Sequence, residues 1–274
     1  TQSRSSAASD VYKRQLEESM EYNDYGYALV HLFETHPQYY RWFKDMRTQT
    51  DTPVLLDNSI FELKKAFDAD KYYEWVEKLQ PNYYIVPDVL ESGVDTIQKW
   101  KDWVVNYNDN TDALRIGVVQ GRDWNELVKC YNFMKDRADY IAISFDYSYY
   151  LHTGVVEDDW ADTTLMKFCT GRKRFIHQLI DEGIWCWDKP HHLLGCSLAK
   201  EFRYYVDNNI HNIHSVDTSN PIVAGIKGKK YNDVFGLPNK PRTLLADLID
   251  HQVTTHEMEC IKYNTDMFKK ILNR

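Results

Sequence analysis

Residues 114–121 read Leu-Arg-Ile-Gly-Val-Val-Gln-Gly, and residues 124–136 read Trp-Asn-Glu-Leu-Val-Lys-Cys-Tyr-Asn-Phe-Met-Lys-Asp. The first stretch is short, apolar and rich in β-branched residues, which favours a strand. The second stretch carries apolar residues at helical spacing, which predicts an amphipathic helix. A strand followed by a polar turn and a helix is the repeating part of a βαβ unit, and the same order recurs along the chain.

Seven strands are predicted from this recurring pattern, at Tyr27–Phe33, Pro53–Asn58, Tyr83–Val89, Leu114–Gln120, Tyr140–Phe145, His192–Cys196 and Ile213–Val216. Helices are predicted near residues 63–79, 93–106, 124–136, 161–183 and 198–209. The strands are continuous apolar runs, as in a sheet that is covered on both faces. The pattern therefore predicts an α/β protein with a parallel sheet.

Two architectures fit this pattern, an open doubly wound sheet and a (β/α)8 barrel. The first strand-to-helix turn has no glycine-rich fingerprint, and the chain has no GxxxxGK[ST] segment. Dinucleotide binding on a Rossmann-type sheet therefore has no support. We predict a TIM-type (β/α)8 barrel whose first strand is lacking or replaced, because only seven strands are legible.

Composition limits the function classes. The chain has 274 residues and a formal net charge of -8, which argues against a protein that coats nucleic acid through bulk charge. No apolar run approaches the roughly 18 residues of a membrane-spanning helix, so we expect no membrane partner and a cytoplasmic location. Residues 1–15 are small, polar and aperiodic, and are predicted to be a non-native or disordered tail. Residues 16–274 are predicted to form a single barrel domain.

The cysteines and histidines do not predict a metal site. The five cysteines include no C-x-x-C pair, so reduced thiols are favoured over disulfides or structural zinc. No His-x-His or Asp-x-His pair opens a predicted strand, as it does in metal-dependent barrel hydrolases. We therefore expect neither a metal nor a cofactor.

Polar residues and glycines collect where the predicted strands end. They are Asp57, Asp88, Gln120, Gly121, Gly195 and Asp217. The carboxyl ends of barrel strands form one rim, and barrel active sites lie there. For any one of these aspartates, capping the following helix is the more common role.

The order of these segments resembles the tRNA-guanine transglycosylase family. Leu55-Leu56-Asp57-Asn58-Ser59-Ile60-Phe61-Glu62 is similar to the strand of that family that ends in Asp-Ser-Gly-Gly-Phe-Gln, and Gly117-Val118-Val119-Gln120-Gly121 is similar to its Gly-Ile-Val-Gln-Gly. Val86-Pro87-Asp88, His192-Leu193-Leu194-Gly195 and Val216-Asp217-Thr218 follow in the family's order. The resemblance covers about residues 27–228 and is closest to the branch, known from phages and some bacteria, that inserts 7-deazaguanine bases into DNA.

The resemblance implies two catalytic carboxylates. Base exchange cleaves an N-glycosidic bond through a cationic sugar, which a carboxylate on the opposite face traps covalently. This role is implied for Asp217. Asp57 is implied to carry a proton to and from the base ring.

The resemblance also implies residues that bind the base. Asp88 would accept hydrogen bonds from the Watson–Crick edge, and Gln120 with Gly121 would read the carbonyl edge. Leu194 and Gly195 belong to the same base-binding set. Phe61 would stack on the base, although a place in the core is an equally good interpretation of this phenylalanine.

Departures from the family favour DNA over tRNA as the polymer. No arginine-rich stretch follows Asp217, and the Cys-x-Cys-x-x-Cys zinc subdomain is absent from the sequence. Lys227, Lys229 and Lys230 would then contact phosphates. The basic run Arg172-Lys173-Arg174 is predicted to lie on a solvated helix face. Ser144-Phe145 replaces the Gly-Gly of the family, which leaves recognition of the 7-substituent open.

Three interpretations follow. The first is a transglycosylase that exchanges guanine in a nucleic acid, with DNA favoured over tRNA, for a free 7-deazaguanine base. The second is a barrel hydrolase that acts on a small molecule. The third is a barrel that docks a base without catalysis. The sequence leaves the oligomeric state open.

Overall fold

A computed structural model describes residues 23–107, 111–145, 147–156, 163–196, 198–232, 248 and 251–272. The fold is α/β, with a seven-stranded parallel sheet in the order β1 to β7. The strands are β1 Gly26–Leu29, β2 Val54–Asp57, β3 Tyr83–Ile85, β4 Leu114–Val119, β5 Tyr140–Ile143, β6 His191–Leu193 and β7 Ile213–Val216. Each strand lies beside the next one along the chain, which is the order of a βαβ series with every crossover in one direction.

The helices between and after the strands are α1 Val30–Thr35, α2 Pro37–Gln49, α3 Ile60–Leu63, α4 Ala69–Leu79, α5 Gly93–Asn106, α6 Trp124–Arg137, α7 Ser148–Thr153, α8 Thr163–Asp181, α9 Ala199–Asp207, α10 Asn220–Ile226 and α11 Thr255–Ile271. None of the helices in the described part of the chain combines the length and apolar character of a membrane span. The strand order begins at β1 and ends at β7 over the described residues, so closure into an eight-stranded barrel stays a prediction.

The chain divides into two compact units. The first unit holds the residues up to Asp88 together with Lys99–Ile116, and the second holds Val89–Gln98 and the chain from Gly117 onward. The predicted tail, residues 1–15, lies outside the described residues. The prediction of one barrel domain over residues 16–274 is not tested by this division.

The first unit is organised around two side chains that join the sheet to its helices. The Tyr72 hydroxyl of α4 donates hydrogen bonds to the carbonyls of Leu56 at 3.2 Å and Ile85 at 2.8 Å, the ends of β2 and β3. Trp103 of α5 donates its indole N–H to the Tyr84 hydroxyl at 3.1 Å. Because all these side chains are buried, each hydrogen bond satisfies a polar group that water does not reach.

The first predicted strand is wrong in its second half. The run Tyr27–Phe33 divides into β1, which ends at Leu29, and α1, which begins at Val30. Val30, Leu32 and Phe33 are apolar because the helix buries them in the core, and not because they belong to a strand. The predicted helix over 63–79 also begins later, at Ala69, where the Asp68 side chain accepts the Lys71 amide as an N-cap.

Candidate active site

The first unit brings Asp57 and Asp88 to the ends of neighbouring parallel strands. β2 and β3 are paired, Asp57 is the last residue of β2, and Asp88 follows β3 by three residues. The Tyr27 hydroxyl donates to Asp57 Oδ2 at 2.5 Å, and the Ser59 amide donates to Oδ1 at 2.5 Å. Asp57 therefore caps no regular helix; its carboxylate is oriented by one strand neighbour and by its own turn.

Asn58, the residue after Asp57, hydrogen-bonds Asp88 and was not assigned to the site by the sequence analysis. Its Nδ2 donates to Asp88 Oδ1 at 2.7 Å and to the Val86 carbonyl at 3.4 Å. The Asp88 side chain is only 2% exposed. A carboxylate this deeply buried requires hydrogen-bond donors, and the Asn58 amide supplies one of them.

Phe61 lies on the surface of the first unit and not in its core. The residue is 44% exposed, and the Lys64 ammonium lies 3.6 Å from the centroid of its ring. The short helix α3 carries it, between Ser59 and Lys64, which both have left-handed backbone conformations. An exposed ring held on a tight turn fits the predicted stacking role better than the core interpretation.

In the second unit, Gln120 follows β4 with its amide already oriented. Its Oε1 accepts the Glu91 amide at 2.8 Å, and the whole residue is buried. Glu91 in turn accepts the Ser148 amide through Oε1 at 2.5 Å. The same side-chain amide carries Nε2, a donor of the kind that reading a base carbonyl requires.

Gly121 has a packing reason to be glycine. A Cβ at this position would lie 2.8 Å from the amide nitrogen of Leu127, inside the first turn of α6. The backbone after β4 approaches α6 too closely for any side chain. The base-binding role predicted for Gly121 therefore falls to its backbone alone.

Asp217 directly follows β7, and the backbone of the preceding strand's loop holds its carboxylate. The Gly195 amide donates to Oδ1 at 2.8 Å, and His192 Nε2 lies 3.2 Å from the same oxygen. The carboxylate does not cap α10, whose N-cap residue is Ser219. The side chain is 23% exposed. Both of these hydrogen bonds with described residues end on Oδ1.

A row of hydrogen bonds extends behind Asp217. A carboxylate accepts, so His192 donates from Nε2 to Asp217, and in a neutral imidazole Nδ1 is then the acceptor for the Ser215 hydroxyl, which lies 2.8 Å away. Ser215 Oγ lies 2.9 Å from the Tyr140 hydroxyl, which lies 2.9 Å from His214 Nδ1. His192 is fully buried, and the sequence analysis did not assign it to the site. The one feature of the sequence that marks His192 is that a polar residue stands in a strand predicted to be buried.

Leu194 and Gly195 form the loop after β6 that contacts Asp217. Gly195 has a φ of +66°, the left-handed region that favours glycine. Arg172 was predicted on a solvated helix face, and this prediction is wrong: its side chain is fully buried and donates to the carbonyls of Leu194 and Gly195. Arg174, two residues later on α8, is exposed as predicted.

The three lysines predicted to contact phosphates are all exposed in the second unit. Lys227, Lys229 and Lys230 follow α10 directly, and Lys230 Nζ lies 5.3 Å from the centroid of the Tyr263 ring. Exposure fits both a solvated loop and a phosphate contact. Within the described ranges no group of three or more histidine, cysteine or acidic side chains is arranged to hold a metal ion.

The predicted site residues thus fall into two groups. The first unit contains Asp57, Asp88 and Phe61, and Asn58, the residue after Asp57, donates to Asp88. The second unit contains Gln120, Gly121, Leu194, Gly195, Asp217 and the three lysines, and in it the Gly195 amide donates to Asp217. No protein-family model matches this chain, and no curated protein matches it.

Proposed function

We propose that this protein is a base-exchange transglycosylase that replaces guanine in a nucleic acid by a free 7-deazaguanine base, with Asp217 as the covalent nucleophile. The observation that carries the proposal is the arrangement of Asp217 at the end of β7. The Gly195 amide and His192 fix Oδ1, while the side chain stays partly exposed. A fixed, partly exposed carboxylate is what a retaining glycosyl transfer needs.

In the proposed reaction, Asp217 Oδ2 attacks C1′ of the nucleotide as the bond from C1′ to N9 of guanine breaks. The electron pair of that bond goes to the base, which takes a proton from a carboxylic acid, the role that the resemblance implies for Asp57. The incoming 7-deazaguanine returns a proton from its N9 to that carboxylate and attacks C1′. The bond between C1′ and Asp217 then breaks, and two inversions give net retention at the sugar.

The roles of the base-binding residues rest on the resemblance and are compatible with their environments. Asp88 accepts hydrogen bonds from the Watson–Crick edge of the base, and Asn58 donates to Asp88 Oδ1. Gln120 donates from Nε2 to the base carbonyl, while its Oε1 accepts the Glu91 amide. Phe61 offers an exposed ring for stacking.

We propose DNA as the polymer. The support is subtractive, because the sequence lacks the arginine-rich stretch and the zinc subdomain of the tRNA enzymes. A guanine inside a duplex does not reach an active site, so the target nucleotide is flipped out or single-stranded, at a cost of a few kcal/mol.

The test is incorporation of labelled 7-deazaguanine and of labelled guanine into duplex DNA, single-stranded DNA and tRNA at one salt concentration. Wild-type protein is compared with Asp217→Asn and with Asp207→Asn, a control on an exposed carboxylate of α9 that pairs with Arg203 at 2.8 Å. We expect label in DNA with wild type and with Asp207→Asn. Preference for tRNA would return the protein to the tRNA-modifying branch with the catalytic assignment unchanged, and no incorporation into any polymer would refute the proposed function.

A hydrolase is the second candidate, and one observation favours it. Ser215, His192 and Asp217 form a hydrogen-bonded row of the kind that activates a serine nucleophile. Ser215 lies two residues before Asp217 on β7, and its hydroxyl is also within 2.9 Å of Tyr140. A fluorophosphonate reagent separates the two functions, because it labels an activated serine and leaves a carboxylate nucleophile unmodified. Labelling of Ser215 would favour the hydrolase.

A further inference from the structure

Arg172 is a fully buried charge that contacts the backbone of the site. It lies within α8, and its Nη1 donates to the carbonyls of Leu194 at 2.9 Å and Ile143 at 3.1 Å. Its Nη2 donates to the Gly195 carbonyl at 3.2 Å. One guanidinium therefore contacts the end of β5 and the carbonyls of Leu194 and Gly195 in the loop after β6.

Glu201 fixes the orientation of this guanidinium. Its Oε1 lies 2.6 Å from Arg172 Nε and its Oε2 lies 2.9 Å from Nη2, a two-pronged contact between side chains that are both fully buried. Tyr205 donates its hydroxyl to the same Oε1 at 3.0 Å. Burial alone lowers the pKa of Arg172, but attraction to Glu201 more than offsets it and holds the pKa above its ordinary value, so the guanidinium is charged. The fork of donors is thereby locked in one plane.

The geometry of one peptide group connects Arg172 to Asp217. The Leu194 carbonyl and the Gly195 N–H belong to the same planar peptide and point in opposite directions. Arg172 holds the oxygen at 2.9 Å, and the N–H on the other side points at Asp217 Oδ1 at 2.8 Å. A rotation of this peptide would break both hydrogen bonds together.

We propose that Arg172, locked by Glu201, is a positioning residue for Asp217. It sets the Leu194–Gly195 peptide so that the Gly195 N–H fixes the nucleophilic carboxylate. The inference rests on the proposed function for its catalytic consequence, while the orientation of the peptide is measurable without any reaction.

The chain offers a specific probe of this peptide. Leu194–Gly195 is the one Leu-Gly dipeptide in the sequence, so protein labelled with ¹³C-carbonyl leucine and ¹⁵N glycine gives one carbonyl-to-amide NMR correlation. Hydrogen exchange of that amide reports the bond to Asp217, because a donated N–H exchanges slowly. We compare wild type with Glu201→Gln, which keeps the size of the side chain, and with Arg172→Lys, which keeps the charge but loses the fork. Arg203→Lys alters the exposed Arg203–Asp207 pair of α9 and is the matched control.

In wild type and Arg203→Lys, we expect a protected Gly195 amide. In Glu201→Gln and Arg172→Lys, we expect exchange of this amide to speed up at least tenfold relative to the other slow amides of the same sample. In base exchange we expect kcat to fall at least tenfold while KM for the polymer changes less than twofold, with a smaller loss in Glu201→Gln than in Arg172→Lys. Merely weakened folding would change all slow amides together and would not separate kcat from KM.

Three results overturn the proposal: an unprotected Gly195 amide in wild type, protection that survives in a folded Glu201→Gln or Arg172→Lys protein, or an unchanged kcat in such a protein. The wild-type measurement can still refute the proposal where both variants fail to fold, since an unprotected Gly195 amide contradicts the hydrogen bond to Asp217 on which the proposal depends. If wild type exchanges no base, the proposed function fails, while the amide measurement still decides the positioning role.

Discussion

Replacement of Gly195 by alanine tests the backbone geometry that holds Asp217. A Cβ on Gly195 would meet its nearest neighbour, Phe145 Cβ, at 3.5 Å, which is ordinary van der Waals contact. Steric crowding therefore contributes little, and the cost comes from placing an alanine at a φ of +66°. The left-handed conformation costs an L-residue about 1–2 kcal/mol.

Gly183 provides a matched control, because its φ is +68° and a Cβ there would meet nothing within 4 Å. We expect Gly195→Ala and Gly183→Ala to lose the same 1–2 kcal/mol of unfolding free energy, to within about 0.5 kcal/mol, with an unchanged urea m-value. Gly183→Ala retains wild-type base exchange, because Gly183 follows α8 outside the loop. Gly195→Ala loses up to about tenfold in kcat, since the strained loop relaxes by rotating the peptide that faces Asp217.

The comparison refutes the reasoning in either of two cases. An unfolding free energy for Gly195→Ala equal to that of wild type would show that the position does not require a left-handed backbone. A loss more than about 3 kcal/mol larger than that of Gly183→Ala would show that the side chain meets a crowded site and not open space.

Three further perturbations follow from the same structure. Burial lowers the pKa of His191 to about 3, so between pH 6.5 and pH 3 the unfolded chain binds a proton that the folded chain does not. The contribution of His191 to the free energy of unfolding is therefore complete above pH 6.5 and is lost by up to about 1.4 kcal/mol per pH unit as the pH drops toward 3. Urea unfolding across this range shows a less steep fall in His191→Phe. Phe61→Ala weakens polymer binding by about 1–3 kcal/mol in fluorescence titrations, and Phe61→Leu weakens it by less. Equal binding by wild type and Phe61→Ala would exclude stacking. Replacement of Lys227, Lys229 and Lys230 by glutamine reduces the slope of log binding constant against log salt by about one unit for each phosphate that a lysine no longer neutralises, and an unchanged slope would show that this loop is merely solvated.

The sequence predicts the strands well where turn residues bound them and poorly where they do not. β7 matches its prediction in full, since Asn212 precedes it and Asp217-Thr218-Ser219 follows it. β1 does not, because the apolar run continues from the strand into α1 with no glycine or proline before Pro37. An apolar run that serves first a strand and then a buried helix has no internal signal of the change.

The aspartates show why the candidate site is only partly legible in sequence. Asp68 and Asp123 cap the helices that follow them, as the common interpretation of such residues holds. Asp217 accepts from the Gly195 amide instead, and Asp57 accepts from Tyr27 and from its own turn. All four aspartates lie shortly before a helix, and the distinguishing partners, Gly195 for Asp217 and Tyr27 for Asp57, are distant along the chain.

Arg172 and His192 were missed as site residues for the same physical reason. Arg172 stands in a basic run on a helix, which favours solvent, and only Glu201 and the carbonyls of distant loops make its burial tolerable. His192 is a polar residue inside a buried strand, and its partners Ser215 and Asp217 lie more than twenty residues later. Sequence spacing does not encode such contacts.

The measurement that tests the central claim most directly is the location of a covalent adduct. Wild-type protein is mixed with a guanine-containing oligonucleotide, quenched in denaturant and digested, and the modified peptide is identified by mass spectrometry. Trypsin releases residues 204–227, which contain both Asp207 and Asp217, so fragmentation distinguishes the nucleophile from an exposed carboxylate in one peptide. We predict the nucleotide on Asp217, no adduct in Asp217→Asn, and a loss of exchange of about three orders of magnitude or more in that variant. An adduct on another residue, or exchange by Asp217→Asn at the wild-type rate, would contradict the account.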